Sequence, residues 1–275
     1  MTEIKHDWQK CREHFQAFVE DYFASDKRLL AESMLYTLRQ GKKFRPFLSY
    51  ATARVFSDNT RTILAYSVAV EMVHAFSLIH DDLPALDNDD FRRGMQTNHK
   101  VYGEDVAILA GDALINEAYL LIANYYESNP SLALDLIRLL TANVGRNGMI
   151  EGQILDLKAQ KATVDIEELK KIHQLKTACL IQAAILGAAK IHSASQEELD
   201  ALKTYGSYLG LGFQIADDLL EEKHELGSYV HLLGQEAAAK ALQDCSDKAL
   251  AALKIFGESA DLLRALVKEN LERNH

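Results

Sequence analysis

The stretch Tyr66-Ser-Val-Ala-Val-Glu71-Met-Val-His74-Ala-Phe76-Ser77-Leu-Ile-His80 runs directly into Asp81-Asp82-Leu-Pro84-Ala-Leu-Asp87-Asn-Asp89-Asp90-Phe-Arg92-Arg93-Gly94. Its first half is apolar at almost every position, with no polar alternation, so it reads as a buried helix and not a strand. Its second half opens with two carboxylates where that helix should end. A helix C-terminus carries partial negative charge, and a carboxylate there costs about 0.3–1 kcal/mol. Two carboxylates about 4 Å apart repel by a further ~1 kcal/mol in water and ~4 kcal/mol near a protein surface. A cation should offset that cost, and a divalent metal held by oxygen ligands is the simplest candidate. Pro84 disfavours helix at Leu83, so the chain should open after Asp82 and let Asp87 fold back toward Asp81 and Asp82.

A second patch repeats the arrangement. Gly210-Leu-Gly-Phe-Gln214-Ile-Ala leads into Asp217-Asp218-Leu-Leu-Glu221-Glu222. Either patch alone reads as a solvated helix end. Two of them, each after an apolar helix, predict a carboxylate cage for more than one ion.

Outward from these patches the chain keeps one character. It has 275 residues, 48% of them hydrophobic, with only 3 prolines and 14 glycines to punctuate it. Good helix formers fill the long stretches, and apolar residues recur at three- and four-residue spacing. The expectation is all-α, one domain over residues 1–275, with no linker and no low-complexity tract. Helices are expected over parts of 8–38, over 47–56, 62–82, 165–190 and 196–219, and twice after Leu233. Another should begin near Gly111-Asp112 with Asp112 as its N-cap.

The net charge of −10, with no basic stripe, argues against nucleic acid. Three widely spaced cysteines, Cys11, Cys179 and Cys245, read as free thiols in a reducing compartment. The charged N-terminal segment lacks the apolar core of a signal peptide, and no uncharged apolar run is long enough for a membrane span, so a cytoplasmic protein is expected.

Basic residues lie close to the acids in sequence. Arg92-Arg93 follows the first patch, and Lys42, Lys43 and Arg45 surround a glycine turn before an apolar helix. Arg is the preferred fork for phosphate oxygens, and Lys serves as a point charge. Magnesium is bound through a few carboxylates together with water and substrate phosphates. Carboxylates, basic clusters and apolar helices together describe a site for a phosphorylated substrate with an apolar tail. His74 lies two helical turns before Asp81 on the same face. Gln153 and Asp156 share a face of the segment Gly148–Leu157, and Lys176-Thr177 is by itself uninformative.

Five blocks in order now match a known pattern. Residues 41–46 (GKKFRP), 74–94 (HAFSLIHDDLPALDNDDFRRG), 148–157 (GMIEGQILDL), 176–181 (KTACLI) and 212–218 (GFQIADD) resemble the trans-prenyl diphosphate synthases. The block at 74–94 is the most specific and is similar to that family's first aspartate-rich motif, with its two-residue insertion. The resemblance implies an all-α bundle around a deep apolar cavity, a homodimer, and Mg²⁺-dependent head-to-tail condensation of an allylic diphosphate with isopentenyl diphosphate. It places metals on Asp81, Asp82 and Asp87 and on Asp217, Asp218 and Glu221. It places the allylic diphosphate on Arg92 and Lys176, and isopentenyl diphosphate on Lys42, Arg45, His74 and Arg93. Thr177 and Gln214 should line the reacting centre. Phe76 and Ser77, one turn before Asp81, should form the floor that limits product length, with Phe76 favouring the fifteen-carbon product.

Some positions depart from the pattern. Gln40 stands for a glycine, Lys43 for an arginine and Glu221 for an aspartate. After Glu222 the sequence KHELG runs into SYVHLLGQEAA where the family carries a longer loop with a Lys-Ser/Thr-Tyr signature, which bears on active-site closure. Two other readings compete. Glu71-x-x-His74 and Glu221-x-x-His224 resemble the ligand pairs of di-iron bundles, although the basic clusters have no role there. A non-catalytic partner subunit would keep the fold without the reaction. Ten- or twenty-carbon products are a further alternative.

Overall fold

In a computed structural model, which describes residues 2–161, 164–220 and 228–272, the apolar runs fold as helices. The first half comprises α1 (Thr2–Tyr22), α2 (Leu29–Leu38), α3 (Phe44–Phe56), α4 (Leu64–Asp81), a β-hairpin of β1 (Phe91–Arg92) and β2 (Met95–Gln96), α5 (Asn98–Tyr102), α6 (Glu104–Tyr125) and α7 (Pro130–Val144). The second half comprises α8 (Met149–Ala159), α9 (Ile166–His173), a π-turn (Gln174–Ala178), α10 (Cys179–Ile191), α11 (Gln196–Leu220), α12 (Tyr229–Leu233), α13 (Gln235–Ala252) and α14 (Asp261–Leu271). The two-residue β-strands are the only strands among the described residues. Contacts divide the chain into two compact units, residues 1–50 with 61–137, and 51–60 with 138–275.

In the first unit α4 is the central element and packs chiefly against α6, with α1 and α2 also against it. Twelve of its residues are buried, from Ala65 round to Ile79, so no face of it is left to water. Both Thr60–Asp81 and Glu104–Tyr125 are long and apolar enough to cross a membrane by length and composition. The first is mostly buried in protein, as a core helix is. The helix expected to start at Gly111-Asp112 starts earlier, at Glu104, with Gly103 before it at φ 91°. Gly111 sits mid-helix because α6 approaches α4 there: a Cβ on it would overlap the His80 ring. It is a packing glycine, which the sequence alone presents as a breaker.

In the second unit α11 packs against α10 and α13. A core of Leu211, Ile215, Ala216, Tyr229, Val230, Leu242 and Cys245 anchors the end of α11 that carries the second acidic patch. The helix expected over 165–190 is observed as α9 and α10 joined through the π-turn. Cys11, Cys179 and Cys245 are unpaired thiols, and burial pushes the Cys11 thiol up to about 12.

Candidate active site

The first site is assembled at the end of α4. After Asp82 the backbone turns back: Leu86 N–H donates to the Leu83 carbonyl, and Asp87 N–H donates to the Asp81 carbonyl at 2.8 Å. Asp87 is thereby returned beside the helix end, as Pro84 predicts. Asp82 is only 4% exposed. Burial pushes its carboxyl up, against the pull of the Arg92 guanidinium. Arg92 Nε donates to Asp82 Oδ1 at 2.5 Å and its Nη2 to Asp89 Oδ2 at 3.1 Å. The hairpin makes this reach possible. Its turn residues Arg93 and Gly94 both have positive φ, 56° and 76°, the backbone of a two-residue hairpin loop.

The basic turn lies in the same unit. Gly41 has φ 87° and Lys43 φ 60°. Lys42 between them is exposed, whereas Lys43 is buried, paired with Glu71 at 3.5 Å, and sits 5.2 Å over the Phe15 ring. Lys43 Nζ also donates to the Gln40 carbonyl. Burial lowers its pKa, and burial also pulls Arg45 down, to about 10. Burial and the surrounding cations Arg45, Arg93, Lys43 and Arg92 hold His74 well below its usual range. His74 is therefore neutral near pH 7, and its Nε2 lies 3.4 Å from Arg93 Nη2. A Cβ on Gly41 would overlap the Arg93 guanidinium. Three of the four non-glycine residues with positive φ among those described, Lys43, Asn88 and Arg93, fall in these segments. Backbone strain of that kind costs about 1–3 kcal/mol each and persists where the surroundings over-determine it. Arg45 Nε and Glu71 Oε2 are buried without a hydrogen-bond partner among the described residues.

Below Asp81 on α4, Phe76 is 8% exposed and meets the His80 ring edge-on at 5.5 Å. Ser77 Oγ donates to the His74 carbonyl.

The second unit carries its own set. Asp217 and Asp218 end α11, with Gln214 Nε2 3.4 Å from Asp217 Oδ2 and Asp218 Oδ2 accepting from Tyr229 N–H at 2.7 Å. Glu221 and residues 222–227, which stand where the family carries a longer loop, lie outside the described residues. Lys176 and Thr177 occupy the π-turn, and Lys176 Nζ donates to Asp156 Oδ2 at 2.6 Å. Isolated π-turns occur often at functional sites. Two glycines let neighbouring helices close on this one. A Cβ on Gly152 would overlap the Lys176 backbone nitrogen, and one on Gly210 would lie 2.5 Å from Ala178 Cβ. Gln153 Nε2 and His173 Nδ1 are buried without a partner among the described residues. Burial lowers His173 to about 4, and its ring stacks on Tyr229 at 5.6 Å.

Among the described residues no three His, Cys, Asp or Glu side chains form a ready-made metal cage. The donors are nevertheless suited to a hard cation: all are carboxylate oxygens, and magnesium takes only one or two of them, completing its octahedron with water and substrate phosphate. The arrangement therefore fits magnesium shared with a diphosphate better than a closed structural ion. A di-iron pair is disfavoured, because Glu71 is spent on Lys43 and His74 faces Arg93.

Sequence reasoning passed over Glu71 as a partner of the basic turn. Its signal was there: a single charge inside the apolar run YSVAVEMVHAF requires a counter-charge.

A polyprenyl synthetase family model matches residues 27–228. The chain belongs to this family. Farnesyl diphosphate synthase of Micrococcus luteus is 38% identical over 94% of this chain and 94% of its own. Farnesyl diphosphate synthase of Escherichia coli is 40% identical over 89% of each. The crystal structure of a farnesyl/geranylfarnesyl diphosphate (FPP/GFPP) synthase of Zymomonas mobilis superposes with a TM-score of 0.91 at 34% identity, covering 97% of this chain and 98% of that one. Polyprenyl synthetase membership accounts for the order of the five sequence blocks and for the all-α fold.

Proposed function

We propose that the chain is a farnesyl diphosphate synthase, condensing isopentenyl diphosphate with dimethylallyl or geranyl diphosphate. One observation carries this reading beyond family membership. The end of α4 gathers Asp81, Asp82 and Asp87 with Arg92, and the buried Phe76 lies one turn before them on the same helix. A head that handles diphosphate and a bulky stop beneath it specify a short prenyl chain.

The reaction needs a diphosphate to leave and a carbocation to survive. Arg92 and Lys176 take the charge that grows on the allylic diphosphate as its C1–O bond breaks and the electron pair passes to oxygen. Both cations are paired with carboxylates in the structure, Arg92 with Asp82 and Lys176 with Asp156, so each is anchored before substrate arrives. Asp81, Asp82 and Asp87, and likewise Asp217, Asp218 and Glu221, would hold magnesium, which when bound would supply further neutralisation of diphosphate charge. Lys42, Arg45, Arg93 and neutral His74 hold isopentenyl diphosphate. Its double bond attacks the allylic C1, and the proton lost from its C2 goes to the released diphosphate. Thr177 and Gln214 line the reacting centre. Positioning and electrostatics carry the rate.

We place the enzyme in the cytoplasm as a homodimer. Ile108, Leu109 and Leu120 of α6 stay exposed on a long apolar helix, the character of a face covered by a second copy. The test is incorporation of labelled isopentenyl diphosphate into acid-labile product, with an allylic primer and Mg²⁺. Incorporation that disappears with a chelator and returns with excess Mg²⁺ is expected. Chelator-resistant incorporation, or none, contradicts the proposal.

A further inference from the structure

We infer that Trp8, on the first helix, is a positioning residue for isopentenyl diphosphate: its indole N–H fixes the basic turn that presents Lys42. The inference rests on the reading that this turn binds that substrate.

The geometry is specific. Trp8 Nε1 donates to the Lys42 carbonyl at 2.6 Å, across 34 residues of sequence. The indole is itself wedged, stacked on Phe47 at 4.4 Å and tilted against Phe44 at 6.1 Å. Both rings belong to α3, which the turn leads into. The indole therefore clamps the turn to the helix that follows it. One helical face of α1 continues the grip: Phe15, two turns on, lies under the Lys43 ammonium.

The turn needs such a clamp. Gly41 and Lys43 both sit at positive φ, 87° and 60°. A lysine in that region is strained, and it relaxes unless its neighbours hold it. Lys42 lies between these two residues, so the peptide that Trp8 holds decides where the Lys42 side chain emerges. Lys43, turned inward, is occupied by Glu71 and the Gln40 carbonyl. Only Lys42 is left outward, as a point charge on a flexible stem whose root must be fixed for its head to find a phosphate.

Trp8 is the one tryptophan of the chain, so its fluorescence reports on the turn without a label. The experiment has two parts. Wild-type protein is titrated with isopentenyl diphosphate while Trp emission is followed, and with dimethylallyl diphosphate as the contrast. Trp8→Phe, which keeps the stacking and removes the donor, is assayed for both substrates. The expected result is an emission change saturating near the KM for isopentenyl diphosphate. In Trp8→Phe that KM should rise about three- to tenfold, the span of one net hydrogen bond, with kcat and the allylic KM within twofold.

If wild-type protein makes product while its Trp emission ignores saturating isopentenyl diphosphate, the inference is overturned. It is equally overturned if Trp8→Phe leaves that KM within twofold, or degrades both KM values and kcat together. The fluorescence titration decides the matter even if the variant does not fold. Wild-type protein that neither condenses nor binds isopentenyl diphosphate overturns the proposed function, and this inference with it.

Discussion

Replacing Glu71 by Gln removes the carboxylate that faces Lys43 in the interior. The two side chains are 4% and 5% exposed and 3.5 Å apart. Taking away one partner of such a buried pair leaves an uncompensated charge and costs about 3–5 kcal/mol. An independent bound comes from the lysine itself. Holding an ordinary lysine of pKa 10.5 neutral at pH 7 costs about 4.8 kcal/mol, at about 1.36 kcal/mol per pH unit. Burial already pulls Lys43 below 10.5, so deprotonation is a cheaper escape and the loss should fall near 3–4 kcal/mol. For a chain of this size, at about 2.1 cal/mol/K of unfolding entropy per residue, that is a fall in Tm of roughly 5–7 °C. Thermal and urea unfolding at pH 7 measure it. The companion variant Lys43→Met with Glu71→Leu removes both charges, and should recover to within about 1 kcal/mol of wild type, since apolar replacement of a buried pair is often neutral. Glu71→Gln within about 1 kcal/mol of wild type, or a double variant no better than the single, would refute the reasoning.

Three further outcomes are expected. Phe76→Ala should lengthen the product toward twenty carbons or more, read by chromatography of the dephosphorylated alcohols; unchanged length would remove Phe76 from the floor. Gly152→Ala forces a methyl into the Lys176 backbone and should cost about 1–3 kcal/mol by overpacking, together with a drop in kcat; wild-type kinetics would show the π-turn need not be held. Acid should destabilise the fold through His173, whose native pKa near 4 lies below its ordinary 6.5. The unfolded chain takes up the proton first, so stability is full above pH 6.5 and falls toward pH 4, by about 2 kcal/mol at pH 5 from this residue. His173→Gln should flatten that limb of the curve.

The helices were legible because their apolar runs are long and uninterrupted. α4 and α11 lie within a few residues of where periodicity puts them, and Pro84 correctly announces the turn that returns Asp87 to Asp81. Gly111 was misread because a glycine that breaks a helix and one that lets two helices touch look alike in one dimension; only the His80 ring distinguishes them. The π-turn at Gln174–Ala178 was invisible for a similar reason: Gly152 and Gly210 approach it closely, and that approach exists only in the fold. The hairpin at 91–96 is too short for an alternating pattern to declare itself. Among the candidate site residues, the sequence offers the chemistry-bearing types in motif order but not the side chains that support them. Trp8, Glu71 and Asp89 act across long separations or by local turns, and their partners exist only in the fold.

The most direct test of the central claim is the chain length of the product. Purified protein with Mg²⁺, isopentenyl diphosphate and geranyl diphosphate should yield farnesol after dephosphorylation, with farnesyl diphosphate a poor primer for further extension. Geranylgeraniol or longer alcohols as the main product, or no alcohol beyond the primer, would contradict the account.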